Sequence, residues 1–130
     1  MAYEIPGFKI SLVAGEDLSA KQFYFVKLNT SGQAVLPSAT TDRPIGILQN
    51  KPGSLGVAEI MVSGVSKLVT GSNLAKADPL GTDAAGKGTT YAYGVAGTAA
   101  FIVGQVLVDN SAVDGISTVL FDCKSPNRGF

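Results

Sequence analysis

Apolar residues recur at every second position over short runs. Phe8 to Val13 reads as a first strand. In Gln22 to Leu28, Phe23, Phe25 and Lys27 alternate with Tyr24, Val26 and Leu28, which reads as a second. Asn29-Thr30-Ser31-Gly32 then turns the chain into Gln33 to Leu36, a hairpin signature. Pro44 opens a strand through Leu48 that ends at Asn50-Lys51-Pro52-Gly53, since proline at a strand's first position removes no needed donor. In Val57 to Val62, Ala58, Ile60 and Val62 form the buried set, and Val57, Glu59 and Met61 the wet one. Gly64 interrupts this pattern and predicts a bulge or sharp corner before the strand resumes over Val65 to Val69. Gly71 to Gly81 reads as turn-rich connection with room for one helical turn at Leu74 to Ala77, and Gly81 to Thr90 as a mobile loop. Tyr91 to Val95, Ala100 to Val108 and Ile116 to Phe121 supply the last strands, punctuated by Asp109-Asn110 and Asp114-Gly115.

Helical periodicity is nearly absent. The pattern predicts an all-β fold, a small antiparallel barrel or sandwich of short strands joined by Gly/Pro-rich turns. A chain of 130 residues that is 45% hydrophobic holds one real core, so a single β domain is expected over residues 9–123. Residues 1–8 read as an N-terminal arm and 124–130 as a C-terminal tail. Tyr3, Ile5 and Phe8 are large apolar residues set around Pro6-Gly7, which breaks regular pairing. Tyr3, Ile5, Pro6 and Phe8 are therefore the candidate contact residues for a shell or a neighbouring subunit, against the plainer reading that the arm packs as an edge strand or frays.

Charge adds little, because ten Lys and Arg balance ten Asp and Glu with no basic block, which argues against nucleic-acid or anionic-membrane partners. No apolar run approaches the length of a membrane span. The start, Met1 to Pro6, lacks the basic and apolar regions of a secretory signal, so synthesis inside the cell is expected. Histidine and tryptophan are absent and Cys123 is the one cysteine. That removes the histidine general base, the Ser-His and Cys-His pairs and the usual zinc ligands, and an enzyme is not expected. Cys123 follows an apolar run and reads as a small buried hydrophobe.

Four patterns imitate chemistry. Gly81-Thr82-Asp83-Ala84-Ala85-Gly86-Lys87 matches the start of a phosphate-binding loop, but Gly88 stands where the magnesium-binding Ser or Thr is needed, and no strand-to-helix context follows. Asp109 to Gly115 gathers oxygens like a calcium loop, yet Val113 sits at its fifth position and Leu120 at its twelfth, so a hairpin turn is the better reading. Glu16 and Asp17 are adjacent on an extended chain and point apart, which suits a turn cap and not a catalytic pair. Lys67 lies within a strand, unlike a lipoyl- or biotin-carrying lysine at a hairpin tip. No cofactor or metal is expected.

The order of features resembles the capsid decoration, or cement, proteins of tailed bacteriophages. Three stretches carry the resemblance: Ala14-Gly15-Glu16-Asp17-Leu18-Ser19 leading to Phe23 through Leu28, Arg43 through Pro52, and Gly56 through Leu68. The resemblance covers most of the first 80 residues, and the family's later half is variable. The resemblance implies a β-barrel or β-tulip-like domain on the exterior of the virion, bound to the major capsid protein of the shell and stabilising it. It implies a homo-oligomer, a trimer before a dimer. Another virion part, such as a head-fibre base or a tail component, shares the same composition and class. A small trimeric β-barrel enzyme would need convergent carboxylates or a metal set that the sequence does not offer.

Overall fold

The computed structural model describes residues 5–91, 101–110, 112–123 and 127–128, and among these no helix occurs. The first strands are β1 (Ile5–Pro6), β2 (Lys9–Val13), β3 (Phe25–Leu28), β4 (Ala34–Val35), β5 (Gly46–Leu48), β6 (Val57–Met61) and β7 (Ser63–Val69). They are followed by β8 (Pro79–Thr82), β9 (Gly88–Thr90), β10 (Phe101–Ile102), β11 (Gly104–Val108), β12 (Ile116–Asp122) and β13 (Asn127–Arg128). A five-stranded antiparallel sheet runs β2-β6-β5-β3-β4, a six-stranded one runs β1-β7-β12-β11-β8-β9, and β10 pairs with β13. Each large sheet curls back on itself at a parallel bridge: Ala14, after β2, lies beside Ala34 in the first, and Thr70, after β7, beside Gly88 in the second, with β1 outside that closure. The small all-β, barrel-like fold is thus present, with most of the edge pairing satisfied by curling.

The two sheets are one unit built twice. In the first, Val13 faces Val57, Met61 faces Ile47, Ile47 faces Phe25, and Leu28 faces Ala34. In the second, Val69 faces Ile116, Leu120 faces Gln105, Gln105 faces Pro79, and Thr82 faces Gly88. Order, direction and register agree strand for strand, and so does the closing bond: Gly15 N donates to Ala34 O and Gly71 N to Gly88 O, both at 2.8 Å. The chain repeats with the backbone, because Leu12-Val13-Ala14-Gly15-Glu16-Asp17-Leu18 matches Leu68-Val69-Thr70-Gly71-Ser72-Asn73-Leu74.

The hairpin turns repeat as well. Asn29 Oδ1 accepts from Ser31 N and Gln33 N, as Asp83 Oδ1 accepts from Ala85 N and Lys87 N, and Gly32 and Gly86 sit at φ +78 and +87. Those left-handed positions are why glycine recurs there. Asn50 Nδ2 donates to Val57 O, and Asn110 Nδ2 to Ile116 O, fixing the loop before the last strand of each unit. Matched core positions are all buried: Leu18 with Leu74, Val26 with Leu80, Leu48 with Val106, and Ile60 with Val119. The first unit closes over its own small cluster, whereas the second forms a larger one that also takes in Phe25, Ile47 and Met61 from the first.

Several sequence expectations change. The second strand starts at Phe25, because Phe23 adopts φ +68 and its carbonyl accepts from Val69 N at 2.9 Å, tying the first unit to the second. Met61 is buried where alternation put it in water, since its side of the strand faces the second unit. Gly81 to Thr90 is the β8–β9 hairpin, with Asp83 organising its turn, and not an open loop. No helical turn forms at Leu74 to Ala77; Leu74 bridges Asn110 and Ala77 takes φ +73. Tyr91 is not in a strand, and residues 92–95 and Ala100 lie outside the described residues. The corner at Gly64 is present, at φ +131.

Candidate functional site

The corner organises the N-terminal segment. From Ile5 opposite Val65 to Val13 opposite Val57, the chain pairs with residues 57–65 in one unbroken register, so both strands bend together. At the bend Phe8 N donates to Ser63 O at 3.1 Å and Val62 N to Phe8 O at 2.7 Å. A side chain on Gly64 would collide with the backbone of Gly7, and one on Gly7 with the carbonyl of Ser63, so two glycines let the strands cross. Of the candidate contact residues, Ile5 and Pro6 form β1 against Val65 and Gly64, Phe8 follows the bend, and Tyr3 lies outside the described residues.

Main-chain pairing does not cover the side chains. Ile5 is 59% exposed and Phe8 more than half exposed. Across the sheet from Ile5 come Val65, Leu120, Gln105 and Pro79, one residue per strand over β1, β7, β12, β11 and β8. Their side chains point to the outer face, where Leu120 is 47% exposed. A shallow hollow of about 230 Å³, lined by Val103, Gly104, Gln105 and Leu120, adjoins this row. Sequence reasoning missed Val65 and Leu120 as contact candidates. The register that aligns them with Ile5 is tertiary, and no local signal carries it.

The patterns that imitated chemistry resolve into turns. Lys87, at the end of the phosphate-loop-like run, forms an ion pair at 2.5 Å with Asp114 from the calcium-like run. That hydrogen bond to Asp114 holds the Lys87 ammonium above its ordinary pKa. Both line an open hollow of about 550 Å³ between the units, together with Gln22, Phe23, Tyr24 and Lys51. Two of its residues, Phe23 and Asp114, have positive φ. Lys67 lies 5.5 Å from the centre of the Phe23 ring and Lys21 5.0 Å from that of Tyr24.

Glu16 and Asp17 diverge as expected: Glu16 accepts from Leu36 N at 3.2 Å and Asp17 from Ser19 N at 3.0 Å, and the Ser19 hydroxyl, with that amide, lowers the Asp17 pKa. Cys123 is buried and its thiol is pushed well up by burial. Among the described residues no three Cys, Asp or Glu side chains gather to hold a metal.

No protein-family model matches the chain, and no curated protein does. Its fold does match solved structures. The N base of head fiber gp8.5 of bacteriophage phi29 is similar with a TM-score of 0.61 and 10% identity, over 89% of this chain and 94% of that one. A chain in the capsid of Myoviridae phage XM1 is similar with a TM-score of 0.66 and 19% identity, over 91% of this chain and 84% of that one.

Proposed function

We propose that the protein is a non-enzymatic structural component of a phage virion that binds the outer surface of the capsid and stabilises it. The likeness of fold to the phi29 head-fiber base and to a chain of the XM1 capsid, over nearly the whole of all three chains, is the observation that carries this reading. The exposed apolar side chains of Ile5 and Phe8, held on paired backbone, support it from the chain's own surface. Backbone pairing keeps these residues ordered before contact, so less entropy is lost on docking. The partner is the major capsid protein, and a homo-oligomer, trimer before dimer, joins several weak contacts into one strong attachment. The phi29 likeness also favours a second reading, in which the domain is the base of a fibre and carries a further protein outward.

Cosedimentation with shells stripped of the protein tests the capsid reading. Wild type should pellet with the shells, and Ile5→Ser with Phe8→Ser should weaken binding at least about tenfold. Equal occupancy of wild type and variant would remove Ile5 and Phe8 from the contact, and failure of wild type to pellet would overturn the reading.

A further inference from the structure

The duplication makes one bare surface informative. In the first unit the row Met61, Ile47, Phe25 runs across β6, β5 and β3, and all three residues are fully buried. The second unit covers them, with its Leu68, Leu80 and Phe121 in the same cluster and Gly86 O accepting from Phe25 N at 2.7 Å. The register puts Leu120, Gln105 and Pro79 in the same three places of the second unit. There Leu120 and Gln105 are exposed and Pro79 half-buried, and half-buried Val65 and exposed Ile5 extend the row on the far side of Leu120.

We propose that the row Ile5, Val65, Leu120, Gln105, Pro79 is the contact surface between copies of this chain. The proposal rests on the reading above and refines it: Ile5 serves shell binding by joining copies, and Phe8, which lies off this row, is left as the shell-facing contact. The occupant is argued from the first unit, where this chain itself is what covers the corresponding row. The substitutions fit a surface that meets water before assembly: Gln105 stands where Ile47 is buried, while Leu120 keeps an apolar side chain at the centre.

Pro79 decides the geometry. It takes the place of Phe25 and has no N–H, so the main-chain bond that Phe25 gives to the Gly86 carbonyl cannot be repeated by a following copy. Repetition of the intrachain packing from copy to copy would build an open filament. Lacking that bond, such a stack is disfavoured, and rows from different copies pack instead around a shared symmetry axis in a closed assembly.

Light scattering on the purified full chain at about 100 μM, with Leu120→Glu and Ile5→Glu beside it, tests this. Wild type should give a small closed multiple of the 13.3 kDa chain, and both variants a single chain with unchanged β-type circular dichroism. Should Leu120→Glu fail to fold, Ile5→Glu decides, because Ile5 lies on the sheet edge and is more exposed. A monomeric wild type overturns the proposal, as do multimers undiminished in the folded variants. Shell cosedimentation separates the two ideas. A monomer that still binds shells ends this proposal alone, whereas a multimer that ignores shells ends the capsid reading alone.

Discussion

The two units share a backbone and differ in what lies on it. Phe25, Ile47 and Met61 are core, whereas of their counterparts Gln105 and Leu120 are exposed and Pro79 is half-buried. The hairpin turns differ in the same way, since a side chain on Gly32 would meet nothing within 4 Å, whereas one on Gly86 would strike the carbonyl of Phe25. Position in a strand therefore sets which face a residue takes, and only the neighbouring unit sets whether that face is dry. The exposed face of the second unit is where the proposed contact between copies is placed.

The largest effect should come from polar substitution in the two rows. Met61→Asp places a carboxylate in the shared cluster and should cost at least about 3 kcal/mol, while Leu120→Asp should cost less than about 1. Urea midpoints at a concentration where the chain is monomeric would show it, and equal losses there would break the claim that one row is covered and the other bare. Next come Leu18→Ala and Leu74→Ala, which empty the same buried place in each unit. Each should cost about 2 to 5 kcal/mol, and the pair should agree within about 1 if the units are equivalent. A much smaller loss at one of them would mean that its core is not closed.

The turns give a smaller difference. Gly32→Ala should cost about 1 kcal/mol for the left-handed conformation alone, and Gly86→Ala about 2 to 3 because it also collides with the Phe25 carbonyl. Thermal melts of equal depth would remove the inter-unit contact at that turn. The smallest effect concerns the connection between β4 and β5 of the first unit. Asp42 is held at about 2 by the hydrogen bond from Lys27 at 2.9 Å, helped by Ser38 N. A folded pKa below the ordinary 3.8 means that this contribution is whole above pH of about 4 and fades as pH falls towards about 2. Asp42→Asn should flatten that part of the stability profile, and an unchanged acid limb would exclude the pair.

Strands were legible where alternation was strong, as in Val57 to Met61, and the corner was legible because Gly64 stood alone in an apolar run. The duplication was not read from the sequence. Its clearest trace is Leu12 to Leu18 against Leu68 to Leu74, with isolated matches such as Gly32 with Gly86 and Asn50 with Asn110, and the spacing between matched positions drifts because the connections differ in length. The β8–β9 hairpin was hidden for a related reason. Glycines at 81, 86 and 88 suggest freedom, but the Asp83 carboxylate fixes two backbone amides and removes it. The contact residues were half visible: the apolar character of Ile5 and Phe8 is local, and their alignment with Leu120 depends on residues far along the chain.

Electron cryo-microscopy of the virion, with and without the protein, reaches the central claim most directly. The expected map has density for this fold on the outer face of the capsid, with the Met61 row inside each copy and the Leu120 rows of neighbouring copies meeting around a symmetry axis. Particles identical on the head surface in both preparations, or density confined to the tail, would contradict it.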